Sequence, residues 1–265
     1  MASEQLAARR LAFTEGNYEA WLAGRKSMTR RVIVPQPQGV PSDAEFREEG
    51  PGLWSIISWG IGPDDLYRKH RAMGMPADVA VRSDGIEYLR EFCPYGPVGT
   101  PLGVQEPFRV TTTACYSVAG VEYKWGGGGW VDGIDVPRSH WHKATSQPSK
   151  RWHSPRFMPL WACRRWSRNE GVRVERVQDI SEADALAEGC NGGALIYAHH
   201  RVTYHRDAFK RLWDSINGGR TILHKWEDDD GVVHRERVPS NYVWAANPLV
   251  WVLSLAPPQD KEDDS

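Results

Sequence analysis

The sequence predicts an α+β protein: a compact mixed barrel of short strands, with a few short helices and long irregular insertions. Three observations carry that prediction. Strand-like runs recur along the whole chain, among them TRRVIV, VRVERVQDI and NPLVWVLSL. Helical periodicity is confined to a few short stretches. Between these lie segments rich in Pro and Gly, and there is no internal repeat. The 265 residues, 40% hydrophobic and 25% charged, suffice to bury a sizeable core and exclude wholesale disorder.

Taken in order, residues 9–13 (RRLAF) read as a short strand. Residues 15–23 read as a helix with Tyr18, Trp21 and Leu22 on one face, and Gly24 fits the left-handed position that ends it. TRRVIV follows as a strand. Residues 35–97 read as a long irregular insertion with one helix near 64–73. RVTTTACYSV and VEYKW are strand-like, and WGGGGW (Trp125 to Trp130) reads as a flexible loop without the Lys-Ser/Thr of a phosphate-binding loop. Residues 137–157 read as irregular. VRVERVQDI alternates Val with charge, as a half-buried strand does. Ser181 and Asp184 form a capping-box-like start to a helix that Gly189 ends. Residues 206–216 form an amphipathic helix stopped at Gly218-Gly219, EDDDG at 227–231 reads as a hairpin turn, and NPLVWVLSL is a buried closing strand. The expected organisation is one domain over 1–255, with insertions at about 35–97, 125–157 and 218–243, and an acidic disordered tail over 256–265.

No apolar run approaches the roughly 20 residues of a membrane span, and MASEQLAARR lacks the apolar core of a signal peptide. The expectation is a cytoplasmic protein without a membrane partner. The net charge of −1 hides an asymmetry: without the tail, 32 bases face 30 acids. Residues 138–176 hold ten Lys/Arg and only Glu170 and Glu175 as acids. Six of the 13 tryptophans (Trp125, Trp130, Trp141, Trp152, Trp161, Trp166) cluster in the same part of the chain. Cations that meet phosphates, interleaved with rings that stack on unpaired bases, point to single-stranded nucleic acid; a solvated charged face beside core tryptophans is the competing reading. Trp161 and Trp166, bordering the basic segment, are the stacking candidates, while Trp213 and Trp251 read as core.

Cys93, Cys115, Cys163 and Cys190 form no CxxC pair and read as free core thiols. His140, His142, His153, His199, His200 and His205 lack metal-ligand spacing, so neither a metal nor another cofactor is expected.

Several separated pieces are similar to one family. GRKSMTRR resembles the G-x-K-x-x-T-x-R signature of the ASCH domain, a branch of the PUA-like superfamily. The segment Gly99, Leu102, Val104, Glu106 follows in order, then MPxWAxR (Met158, Pro159, Trp161, Ala162, Arg164), a strand, ISEADALAEG, FKRLWDSING and NPLVWVLSL. The arrangement resembles ASCH proteins of tailed phages and prophages over roughly residues 9–255. It departs from their G-D-x-L-W-V-x-E-x-W pattern at Thr100, Gly103 and Pro107. The resemblance implies a PUA-like β-barrel core and a host cytoplasmic location if the protein is phage-encoded.

Lys26 and Thr29 lie three residues apart just after a helix stop, so both side chains can project into one cleft. A desolvated lysine serves as a base toward a hydroxyl, and threonine beside it is a candidate nucleophile. Glu188, at the end of its helix, is a candidate proton carrier. Such a set suits hydrolysis of an amide through an acyl-enzyme. The resemblance extends this: one group of small bacterial ASCH proteins deacetylates N(4)-acetylcytidine with a Lys and Thr in the same K-x-x-T pattern, matching Lys26 and Thr29, and a Glu matching Glu188 by position. The implied catalytic residues are Lys26, Thr29 and Glu188; the substrate-binding candidates are Arg30, Arg31, Glu106, Trp161 and Arg164. Arg30 and Arg31 alternate along a strand, so one is expected to face the cleft. The structural alternatives are a solvated or phosphate-binding Lys26, a Thr29 tied to backbone, and a Glu188 paired with Lys26 or an arginine. Three functions follow: an amidohydrolase acting on an N-acylated cytosine nucleoside or nucleotide, a non-catalytic RNA, DNA or modified-base reader using the same cleft, and a protein-interaction role in phage–host conflict.

Overall fold

The computed structural model describes residues 6–34, 36, 40, 44–58, 80–82, 85–115, 118–140, 151–192, 194–197, 200–218, 221–227, 233–239 and 242–261. The main sheet holds β1 (Arg9–Ala12), β2 (Met28–Val32), β7 (Pro101–Gln105), β11 (Arg165–Arg176), β16 (Leu249–Leu255) and β17 (Gln259–Asp260). Its order is β1-β7-β11-β16-β2, with β17 also on β11. Only β1–β7 is parallel. Hydrogen bonds among the described residues leave this sheet open, with β1 and β2 as its two ends; the architecture is mixed, mostly strands with few helices, and the closed barrel expected from the sequence is not formed by them.

The reason for the apolar run in NPLVWVLSL is burial on both faces of β16. Leu249, Trp251, Leu253 and Leu255 enter one core with Leu11, Tyr18 and Trp21. Val250 and Val252 enter another with Phe209 and Trp213. A strand covered on both sides loses the polar alternation of a half-exposed one. Two helices flank that second core: α2 (Glu182–Ala187) and α3 (His205–Asn217), whereas α1 (Glu15–Leu22) packs on the first. Ser181 caps α2, its Oγ accepting from the Asp184 amide at 3.0 Å. Trp125, placed by the sequence in a loop, is a core residue in ring contact with Tyr18, their centroids 5.7 Å apart.

Two departures from the sequence reading have physical causes. The segment 35–97 is not irregular throughout: β3 (Glu45–Gly50), β4 (Leu53–Ser58), β5 (Ala80–Arg82) and β6 (Gly85–Phe92) form an antiparallel sheet of order β3-β4-β6-β5. Trp54 and Ile56 carry its inner face into the first core. The helix expected near 64–73 lies outside the described residues, as do Trp141, His142, His199 and most of the 227–231 turn. That turn's flanks, β14 (Thr221–Glu227) and β15 (Val233–Pro239), do pair as a hairpin, as do β12 (Ala194–Tyr197) and β13 (His200–Thr203). The tail is not disordered from 256 onward: Ala256 is buried, and Gln259 and Asp260 pair with Trp166 and Arg165. An acidic composition leaves backbone donors and acceptors free to complete a strand edge.

A third sheet, β10-β9-β8, is built from β8 (Phe108–Cys115), β9 (Val118–Tyr123) and β10 (Gly129–Asp135). Its inner face, with Met158 and Cys163, forms the third core. Trp161 and Trp166 pack against that core, so the stacking candidates chosen from the sequence are partly buried.

Cys93, Cys163 and Cys190 are free and buried. Burial pushes the Cys93 and Cys190 thiols up to about 11 and the Cys163 thiol up to about 12. At neutral pH these thiols are protonated and unreactive. Alkylation of the native protein at pH 7, mapped by mass spectrometry, is expected to leave these positions unlabelled and to label them after denaturation.

Candidate functional site

The site begins at the stop of α1. Gly24, at φ +69°, reverses the chain, and the Arg25 and Lys26 amides donate back to Ala20 O at 2.9 and 3.1 Å. The next residues dock on the end of α2. Lys26 forms an isolated antiparallel bridge with Glu188, and the Ser27 amide donates to Ala187 O at 2.8 Å. Gly189 closes the junction at φ +84°, where a Cβ would lie 3.0 Å from Ala20 Cβ and 3.3 Å from Lys26 Cβ.

This docking brings together two of the three catalytic candidates by direct contact. Lys26 is 2% exposed and Glu188 4%. Lys26 Nζ donates to Glu188 Oε2 at 2.6 Å and to the Glu188 carbonyl at 3.0 Å. Burial lowers the Lys26 ammonium from its ordinary value, with Glu188 opposing and Arg31 adding to the shift. The aliphatic and cationic parts of Lys26 lie by the Phe13 ring, with Nζ 5.7 Å from its centroid.

Thr29 and Glu188 line one cavity of about 390 Å³, and Lys26 lies behind Glu188 rather than in its wall. Arg30 and Arg31 both line it, where alternation along a strand predicted one. The cause is that β2 ends the sheet, so the cavity wraps around its free edge. The two arginines are nevertheless in different circumstances. Arg30 is 5% exposed and binds three carboxylates: Glu175 Oε1 at 2.7 Å, Asp184 Oδ2 at 2.8 Å and Glu188 Oε1 at 3.3 Å. Burial opposes its charge, but Glu188 and Glu175 outweigh that and keep the guanidinium ionised. Arg173 joins the same network through Glu175 at 3.1 Å and Asp184 at 2.6 Å. Arg31 instead reaches across the open side of the sheet to the Ala12 carbonyl and lies over the Phe13 ring, and its buried Nε has no partner among the described residues.

The other substrate-binding candidates are placed elsewhere. Glu106 and Arg164 do not line the cavity. They form a buried two-point pair, Nε to Oε1 at 2.8 Å and Nη2 to Oε2 at 3.0 Å, and Tyr18 Oη donates to Glu106 Oε1 at 2.9 Å. Arg164 also donates to Gly128 O and Trp125 O, which anchors the WGGGGW loop. That loop is therefore held rather than free. Trp161, with its Nε1 buried and unpartnered, packs on the third core and is also absent from the cavity wall.

Sequence reasoning missed Phe13 and Asn17, and the face of α3 formed by Phe209, Leu212, Trp213 and Ile216, all of which line the cavity. Their helical spacing was legible but reads equally as core. It also missed that Asp184, legible as a cap, holds Arg30. Among the described residues, no group of three or more His, Cys, Asp and Glu is arranged to hold a metal ion, and no helix is long and apolar enough to cross a membrane. Compared with protein-family models, with curated proteins and with solved structures, the chain finds no match.

Removing one member of a buried ion pair leaves the other charge uncompensated, at a cost of about 3–5 kcal/mol. Urea unfolding is expected to show a loss of about that size for Glu188→Ala, which strands Lys26 and removes one of the three carboxylates on Arg30. Asp184→Asn, at a side chain 23% exposed, is expected to cost only about 1 kcal/mol.

Proposed function

We propose that this chain is an ASCH-type protein with a PUA-like core whose cavity takes a cytosine-like nucleoside or nucleotide in the bacterial cytoplasm and hydrolyses an N-acyl amide on the base. The observation that carries the reading is the position of Glu188: it touches Lys26 at 2.6 Å and shares the cavity wall with Thr29. Phe13 and Trp213 supply apolar wall for a flat ring, and Arg31 is placed to donate to a carbonyl oxygen of the substrate.

The chemistry follows from that placement. Thr29 Oγ attacks the acyl carbonyl carbon and gives its proton to the Lys26–Glu188 pair. The pair returns a proton to the exocyclic nitrogen as the C–N bond breaks, so the free amine leaves and the acyl group stays as an ester on Thr29. Water then attacks this ester, the pair takes its proton, and Thr29 recovers a proton as the carboxylic acid departs. The two groups act together because they are in direct contact, Nζ to Oε2 at 2.6 Å.

The test is incubation with N(4)-acetylcytidine and its deoxy form, following nucleoside and acetate by chromatography. Thr29→Ala and Lys26→Ala are each expected to lower kcat by about 10²–10⁴-fold. Absence of turnover across acylated nucleosides overturns the reading. The pH profile has a definite sign. A base whose value is lowered by burial reaches its neutral form at a pH below the ordinary lysine value of 10.5. The rate is therefore expected to rise with pH along a limb below 10.5, and this limb is expected to be absent in Lys26→Arg.

A further inference from the structure

Among the tryptophans whose side chains are described, two are left exposed by the packing. Trp130 is 54% exposed and Trp152 39%. Trp130 is on β10 of the β8–β9–β10 sheet, and Trp152 lies outside its strands but against Arg109 of β8, next to the bridge from His153 to Phe108. Trp130 pairs across with Glu122, and Glu122 with Arg109, so the three form one cross-strand row. The Arg109 guanidinium extends the row, lying 4.9 Å from the centroid of the Trp152 ring. The row is held in place at each step. Trp130 Nε1 donates to Thr111 Oγ1 at 2.9 Å, Arg109 Nε donates to Glu122 Oε2 at 2.6 Å, and His153 exchanges two backbone hydrogen bonds with Phe108. Exposed rings fixed by their neighbours have already lost the freedom that binding would otherwise cost.

The charge around these rings is complementary to phosphate. Lys124 and Arg156 are exposed, and the one acid within the row, Glu122, is neutralised by Arg109. Asp135 sits at the far end of β10, paired in register with Val118. The platform also runs into the cavity. Ser154, Pro155 and Arg156 line the cavity wall, and two residues of chain, at most about 7 Å, separate Ser154 from Trp152.

We propose that this sheet face is a stacking platform for a single-stranded polynucleotide, with bases on Trp130 and Trp152, phosphates on the surrounding cations, and the strand led along residues 152–156 to the cavity. The platform stands on its own geometry. Its role in delivering a base rests on the reading of the cavity as a nucleobase site. Free rings stack on any unpaired base, and such contacts are worth about 1–3 kcal/mol each.

Direct binding tests the platform without reference to hydrolysis. Fluorescence anisotropy with labelled oligocytidylate is measured for RNA, for DNA and for a duplex of the same length. Trp130→Ala and Trp152→Ala are each expected to weaken single-strand binding by about 5- to 150-fold, the ring contribution expressed as affinity. Trp→Phe at either position is expected to retain most of it. Lys124→Gln is expected to reduce the slope of log affinity against log salt by about 1. Circular dichroism and thermal melts of these surface variants confirm that they fold. Failure of the wild type to bind at low salt, alanine variants that bind as the wild type does, or equal affinity for duplex each overturn the proposal. RNA and DNA arms distinguish the sugar. A protein that binds strands through these rings yet hydrolyses no acylated nucleoside leaves the platform standing and removes the cavity reading alone.

Discussion

Burying a lysine in a folded chain costs several kcal/mol unless its charge is met, and much of the geometry around the cavity follows from meeting it for Lys26. The side chain has almost no exposure, and its ammonium is matched by both the carboxylate and the main-chain carbonyl of Glu188. Such a match demands that the entry to β2 lie against the last turn of α2. The backbone supplies that contact through the Lys26–Glu188 bridge and the bond from Ser27 to Ala187. It in turn leaves no room for a side chain at position 189, where a Cβ would press on Ala20 and Lys26 at once. One buried charge thus fixes a helix end, a strand start and a glycine.

The same strand divides two kinds of work between its faces. Arg30 is committed to Glu175 on β11 and to Asp184 and Glu188 on α2, so it clamps three elements together. Glu188 is consequently held by a cation on either side, Lys26 at one oxygen and Arg30 at the other. A carboxylate fixed from two directions keeps its geometry through a reaction cycle, which is what a proton carrier needs. Arg30, though it lines the cavity, has its Nε and both terminal nitrogens engaged by carboxylates.

How much of this the sequence disclosed depends on whether the governing contact was local. The cap at Ser181, the reversal at Gly24 and the two-sided burial of β16 are written in short stretches, as a hydroxyl, a glycine and an unbroken apolar run. The sheet of β3 to β6 is not, because Leu53–Ser58 finds its partners on strands separated from it by turns and by a long intervening segment. Pairing of Gln259 and Asp260 with β11 is equally silent, since it uses backbone groups that every residue carries. At the site, the helix end placed Glu188 against Lys26, but the spacing of Lys26 and Thr29 did not put both in one cleft: Thr29 lines the cavity and Lys26 does not. What spacing left open was the partner of each arginine, because ion pairs across 58 residues, as for Glu106 and Arg164, have no sequence signature.

The arginines differ in how many of their donors are met. A guanidinium carries five N–H groups, and every one left dry is costly. Arg164 spends its Nε and both terminal nitrogens on Glu106, Gly128 and Trp125 and stacks on the Tyr123 ring, 4.4 Å from its centroid. Four of its five N–H groups are thereby met, and Arg164 does not line the cavity. Arg31 lines the cavity, spends one nitrogen on Ala12 and rests on Phe13, and its buried Nε has no partner among the described residues. Of the two arginines in the cavity wall, Arg30 is tied to three carboxylates and Arg31 to a single carbonyl, so Arg31 keeps more of its donors uncommitted.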